Sequence, residues 1–430
     1  MQIIRRIPFW GALALLIYMP FHIFLSQWIS LATGGLSVWK LAKDAMLLIL
    51  VVFTICLVWK KRAGTKEFNL FVAIGAGYAL LHLVLWAFHP SLEHDSAILG
   101  AIYNNRVLDF LILGMGVGLL VRPKGVDTIL LTRIILSVSA VVALFGVAQY
   151  FLPKDIMTHF GYSLSRGVRP DFFIDNNPAL PRVMSTLRDP NSLGAYLIIP
   201  ITMTLYLLMK AKTVAGRLSF GALALLYSLA LYFTFSRSAW VGAIIAIGFL
   251  TWWQFKGQIF SIAKRWWPIA VCLILLAAGG LFALRNNGIV SHTTKAQVGD
   301  YSSNDYHWIY VKKGLTGIWH NPLGHGPGTA GLASIQNRNG GLLTENYYVQ
   351  IGYEVGVAGL LVFIAANILV CVYLWRCKGM WPPVLLASFL GYVFINMLLH
   401  SWSNEAVAAQ WWIMAGLILS TLHQPVKRAR

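Results

Sequence analysis

The chain has 430 residues, of which 58% are hydrophobic and only 11% charged. Soluble domains carry about 25% charged residues, so a water-soluble globule is excluded, and the 13% aromatic content excludes a disordered chain. The balance of 34 Lys+Arg against 15 Asp+Glu gives +19; in so apolar a chain it points to membrane sidedness rather than to nucleic acid.

Each bilayer span needs roughly 20 apolar residues, and the pattern predicts an all-α polytopic integral membrane protein with about 12 transmembrane helices. In chain order the spans are Ile7–Ile29, Leu41–Trp59, Phe68–Phe88, Ile98–Val121, Ile129–Phe151, Leu193–Met209, Leu218–Phe235, Ala239–Phe255, Trp266–Leu284, Tyr347–Trp375, Val384–His400 and Ala406–Leu422. The basic start with its apolar run reads as the first span; a cleavable signal would need a small-residue cleavage site, which is not evident. With the N-terminus in the cytoplasm, Lys60–Arg62, Arg122, Lys210, Arg217, Lys264, Arg265, Arg376 and Lys427–Arg430 fall inside, while acidic residues lean outward. This positive-inside pattern places both termini in the cytoplasm. The Trp pairs 252–253, 266–267 and 411–412 read as an aromatic belt. Cys56, Cys272, Cys371 and Cys377 imply neither a disulfide framework nor a zinc site.

Residues 1–430 read as one membrane domain. It carries two long extracytoplasmic loops, 153–192 and 285–344, and long structured loops are usually functional. The first ends LPRVMSTLRDPNSLGAYL. Asn191 or Ser192 can cap the next helix. Arg182 and Arg188 are then either solvated arginines or an anion site beside a helix N-terminus. Next, FTFSRSAWVG places Arg237 between two apolar runs, where a charge needs a partner. That partner is a carboxylate such as Asp109 or Glu354, or an anionic ligand. In the second loop, NPLGHGPG supplies turns that are either a rigid surface loop or a close backbone approach to a ligand. Glu345 then precedes the tenth span, as a first-turn acid favoured by the helix dipole or as a general base. Asn105, Arg106, Asp109 and Asp44 read as an internal polar network; His307, His320 and His325 read as structural loop histidines. No paired-carboxylate metal motif, phosphate-binding P-loop or dinucleotide fingerprint is present.

The order of these motifs resembles the O-antigen ligase and polymerase superfamily of bacterial membrane glycosyltransferases. The resemblance rests on Arg182 eight residues before Pro190-Asn191, on Ser236-Arg237-Ser238-Ala239-Trp240, on Pro322-Leu323-Gly324-His325-Gly326-Pro327-Gly328, and on Glu345-Asn346-Tyr347-Tyr348 followed by Glu354-Val355-Gly356. It covers roughly residues 130–375. One position departs: the family's His is Glu345 here, which leans the reading from ligase toward polymerase.

The resemblance implies transfer of a polyprenyl-diphosphate-linked glycan to the hydroxyl of an acceptor glycan or glycolipid, on the outer face of the bacterial cytoplasmic membrane. Arg182 and Arg237 would stabilise the departing diphosphate and Glu345 would take the proton. Arg188, Asn191, His325, Asn346 and Tyr348 would bind substrate, and Trp308, Trp319, Tyr347 and Tyr348 offer faces for sugars. No cofactor or metal is expected, and no nucleic-acid partner. The rival classes are a secondary transporter or flippase of lipid-linked or anionic substrates, whose charges would sit near the midplane, and a non-catalytic lipid-binding scaffold.

Overall fold

The computed structural model describes residues 2–121, 127–174, 177–258, 297–298, 301–337 and 340–422, with the backbone alone for 2–5, 297–298 and 301–306. The predicted span Trp266–Leu284 and the start of the second long loop lie outside the described residues.

The chain is mostly helical. Among the described residues, nine helices are long and apolar enough to cross a membrane: Arg6–Thr33, Leu36–Lys60, Lys66–Phe88, His94–Leu120, Thr128–Phe151, Pro190–Lys210, Val214–Phe233, Arg237–Phe255 and Tyr347–Arg376. Two shorter apolar helices, Trp381–Asn396 and Glu405–Leu419, follow. We label the helices α1 (Gln2–Tyr18), α2 (His22–Thr33), α3 (Leu36–Lys60), α4 (Lys66–Phe88), α5 (His94–Leu120), α6 (Thr128–Phe151), α7 (Pro190–Tyr196), α8 (Ile198–Lys210), α9 (Val214–Phe233), α10 (Arg237–Phe255), α11 (Ser303–His320), α12 (Tyr347–Arg376), α13 (Trp381–Asn396) and α14 (Glu405–Leu419).

The centre of the bundle is the pair α5–α14. Small residues let the two backbones touch, as between helices in lipid: Gly114 lies against Ile413 O and Gly416 against Leu111 O. Helix α14 is apolar all round because it is surrounded. This corrects the belt reading for Trp411 and Trp412, which are fully buried, with the Trp411 indole donating to Leu385 O at 3.0 Å. Trp252, by contrast, is 40% exposed.

A buried ionic network ties one end of the bundle together. Arg106 of α5 donates to Asp44 of α3 (2.9 Å) and to Ser403 O (3.0 Å), and lies 3.6 Å from Glu405. Glu405 accepts from His22 of α2 (2.8 Å), and Asp44 from Lys43 (2.7 Å). Asp109 stands within electrostatic reach of Arg106. Buried charges persist only when paired in this way.

The connections at this end are structured. The α6–α7 segment holds 3-10 turns and a two-stranded antiparallel hairpin, β1 (Phe173–Ile174) with β2 (Asn177–Pro181). Helix α12 is broken at Gly356, where φ is +73°. The break is filled by the loop after α11. His325 N donates to Tyr353 O (2.9 Å), Gly326 N to Glu354 O (3.0 Å), and Val357 N to Pro322 O (2.9 Å), replacing helix bonds that the kink removes. The buried Glu354 carboxylate accepts from Gly328 N and Ala330 N at 3.0 Å each, and from Asn104. Backbone in the loop therefore approaches the broken helix.

A Cβ on Gly356 would stand 2.5 Å from Pro322 O, in a left-handed conformation that disfavours side chains. Gly356→Ala is expected to lower stability by at least ~2 kcal/mol, read as a lower melting temperature of the detergent-solubilised protein. An unchanged melt would contradict this account of the kink.

Candidate active site

Arg182 is placed by backbone. Its N–H donates to Phe172 O (2.8 Å) across the hairpin, and Val183 N donates to Phe233 O (3.0 Å) at the end of α9. The guanidinium donates through Nε to Thr234 O (2.9 Å) and through an amino group to Asn191 Oδ1 (3.0 Å). Asn191, expected to touch substrate or to cap α7, thus orients Arg182. The cap is Asp189, whose Oδ1 accepts from Ser192 N (2.8 Å) and whose Oδ2 accepts from the Ser192 hydroxyl (2.9 Å).

Arg237 opens α10 after a tight turn. Thr234 Oγ1 donates to Leu231 O (2.6 Å) and accepts from Ser236 N (3.1 Å), and the Trp240 indole donates back to Leu231 O (3.1 Å). The Ser-Arg-Ser-Ala-Trp motif is therefore a clasp between α9 and α10 with Arg237 at its tip. Arg237 lies within electrostatic reach of Arg182. Burial pulls the Arg182 guanidinium down to about 10 against support from Asp189, and the Arg237 charge acts in the same downward direction. The carboxylates expected as alternatives for Arg237 are engaged elsewhere, Glu354 with the α11–α12 loop and Asp109 beside Arg106.

Glu345 reaches the same place from α12. Asn346, not Glu345, begins that helix: its Oδ1 accepts from Val349 N (3.0 Å), and its amide donates to Met397 O (2.9 Å). Glu345 stands outside the first turn, with φ +54°, so the helix-dipole reading does not apply. Its Oε2 lies 3.2 Å from His307 Nδ1 of α11. Burial raises the Glu345 carboxyl to about 7. His307 is held below the ordinary histidine value by burial and by the charge of Arg237. Next to Glu345, Thr344 Oγ1 lies 3.2 Å from His400 Nε2, and His400 is within electrostatic reach of His307. Electrostatic reach thus links Arg182 to Arg237, Arg237 to His307 and His307 to His400, and His307 lies against Glu345.

Non-glycine residues with positive φ are uncommon and gather at functional sites. The described ones are Arg62, Ser185, Phe235 and Glu345. Three of the four flank this cluster: Ser185 after Arg182, Phe235 before Arg237, and Glu345 itself. Gln149 of α6 holds the first of them, accepting from Met184 N (3.1 Å) and Ser185 N (2.8 Å).

Other expected site residues lie apart. His325 stacks on Tyr353 at 3.9 Å and shares Tyr353 O, within reach of His89. Tyr348 is half-buried on α12 beside the fully buried Tyr347. Arg188 does not join Arg182 but lies near Lys40 and Tyr103. Trp308, next to His307, is 64% exposed. Sequence alone reads His307 as structural, since a lone loop histidine gives no sign that it will face the carboxylate of Glu345.

Residues 222–364 match the family model described as O-antigen ligase. The match supports the O-antigen ligase/polymerase superfamily. The matched segment carries Arg237, His307 and Glu345 together with the loop that fills the α12 break, while Arg182 precedes it. No curated protein matches the chain.

The raised Glu345 value has a stability consequence. A carboxyl with a folded value near 7 and an ordinary value of 4.5 favours the protonated fold. The stability is fully present below about 4.5 and is lost as pH rises through about 7. Relative to Glu345→Gln, the wild type is expected to lose up to ~3 kcal/mol over that window, read as diverging melting temperatures. Parallel curves would show that the carboxyl is not perturbed.

Proposed function

We propose that the protein is a membrane glycosyltransferase of the O-antigen ligase/polymerase type, with polymerisation favoured over ligation. It transfers a polyprenyl-diphosphate-linked glycan to an acceptor sugar hydroxyl at the outer face of the bacterial cytoplasmic membrane. The observation that carries this reading is that His307 lies 3.2 Å from Glu345 while Arg237 is within electrostatic reach of both His307 and Arg182. Anion stabilisers and a proton acceptor stand together at the ends of apolar helices, where a lipid-linked diphosphate would lie. The family match supports an enzyme of ligase or glycosyltransferase type, acting in general on lipid-linked glycans and glycolipid acceptors.

In this mechanism the acceptor hydroxyl attacks the anomeric carbon and the bond to the diphosphate oxygen breaks. Negative charge grows on the leaving polyprenyl diphosphate, and Arg182 and Arg237 are fixed before it appears. Thr234 O and Asn191 hold one guanidinium in place, so little reorganisation is needed. The hydroxyl proton goes to Glu345, whose value near neutrality suits a general base at physiological pH. His307, kept neutral, stands 3.2 Å from that carboxylate and adds no competing positive charge beside it. Guanidinium groups supply the neutralisation that a metal ion supplies elsewhere, so transfer is expected to continue in EDTA. The helix break at Gly356, a feature that transporters use as a binding site, is occupied here by Pro322–Gly326 of the same chain.

Glu345→Gln is expected to reduce turnover by roughly 10²–10⁴, with His307→Ala less severe. Arg182→Lys and Arg237→Lys are each expected to impair turnover, because an ammonium cannot make the planar fork. The assay is glycan transfer by the purified protein with a lipid-linked donor, with and without separate acceptors. Near-wild-type turnover by folded Glu345→Gln would end the base assignment. Sidedness has its own check: a cysteine at Ala179, exposed on the β1–β2 hairpin, should react with an impermeant maleimide in intact cells. Labelling only after lysis would reverse the orientation.

A further inference from the structure

Helix α11 carries His307, yet it is not among the helices apolar enough to cross a membrane. From His307 onward its side chains fall into three sectors, set by the helical advance of about 100° per residue. One sector packs on α12: Gly314 lies against Val349 and Thr344, Gly317 against Tyr353, and Ile318 against Gly352. A second sector, Lys312, Lys313, Thr316 and His320, is polar and exposed. Between the two runs an apolar stripe of Trp308, Leu315 and Trp319. These three are 64%, 48% and 85% exposed, and Leu323, just past the helix, is 79% exposed.

Two indoles and two leucines in one exposed stripe are unfavourable in water, and such a patch marks an interaction surface. What covers it follows from two observations. The first is continuity. Val357 N donates to Pro322 O (2.9 Å) beside Leu323, and the exposed side of α12 continues through Val357 and Leu361. Helix α12 is apolar and long enough to cross a membrane, so its exposed aliphatic face meets lipid. The second is charge. Lys312 and Lys313 border the stripe on its wet side, where headgroup phosphates would stand beside buried indoles. Trp and Leu on one face with Lys on the next is the composition of a helix lying in the membrane interface.

We infer that α11 is an interfacial helix. Trp308, Leu315, Trp319 and Leu323 are seated in the bilayer leaflet on the side of Glu345, and Lys312 and Lys313 take the phosphates of anionic phospholipids. The partner is the lipid surface itself. The C-terminal end of α11 is already bonded into the α12 break through Pro322–Gly326. The lipid seat holds the remainder, including His307 beside Glu345. This inference needs only that the chain spans a membrane, and it stands apart from the transferase reading.

The test uses the full-length protein in nanodiscs of phosphatidylglycerol and phosphatidylcholine, with its native cysteines replaced by serine. Nitroxide labels at Trp308→Cys, Leu315→Cys and Trp319→Cys are expected to collide with oxygen more than with a water-soluble nickel chelate. A label at Thr316→Cys is expected to show the reverse preference. Preference for nickel at 308, 315 and 319, as a wall for sugars gives, overturns the inference. Occlusion from both reagents, as a protein partner gives, also overturns it. A second measurement needs no substituted residue. Diazirine-bearing phosphatidylglycerol is expected to crosslink to residues 307–323 of the wild type about fivefold or more over the phosphatidylcholine analogue. The double variant Lys312→Gln, Lys313→Gln is expected to lose that preference. Crosslinks elsewhere in the chain with none in 307–323 overturn the lipid seat, and equal crosslinking by the two analogues overturns the role given to the lysines.

Discussion

Positive charge has to be held in place where apolar helices end, and the bond from Arg182 to Thr234 O is where that is achieved. The carbonyl is free because α9 stops at Phe233 and the chain turns through Phe235 in a left-handed conformation before α10 begins. The same turn presents Arg237. One local backbone event therefore positions both guanidiniums, and Asn191 fixes the rotation of the first. The desolvation that lowers Arg182 is the same desolvation that would strengthen its grip on a diphosphate.

The other half of the cluster depends on the broken helix. Gly356 opens α12, and Pro322–Gly326 close the gap, so the end of α11 is bonded to the first turns of α12. Glu354 reinforces the joint by accepting from Gly328 and Ala330. With α11 pinned at its C-terminal end, His307 near its N-terminal end is brought to Glu345. The glycine-rich loop and the Glu-Val-Gly sequence are thus parts of one brace, some distance from the groups they align.

Much of the helical architecture was legible because period, length and charge placement act locally. Eleven of the predicted spans coincide with helices among the described residues, two of these being the short helices Trp381–Asn396 and Glu405–Leu419. That Arg182 and Arg237 come within electrostatic reach of one another was also legible, from a charge next to hydrocarbon and a helix start. What escaped was set by tertiary contact. Asp189 rather than Asn191 caps α7 because Asn191 is drawn to Arg182. Trp411 and Trp412 are buried because α14 lies at the centre of the bundle, which a hydropathy profile cannot distinguish from the interface. His307 and Arg188 carried no local signal: Glu345 beside the one, and Lys40 and Tyr103 near the other, come from segments far away in sequence.

The central claim is that a diphosphate and a reacting hydroxyl meet in one cluster formed by Arg182, Arg237, His307 and Glu345. A cryo-EM structure of the protein with a lipid-linked glycan tests it most directly. The account predicts diphosphate density between Arg182 and Arg237, with the first sugar directed toward Glu345. Density for the diphosphate remote from both arginines, or a first sugar directed away from Glu345, would contradict it.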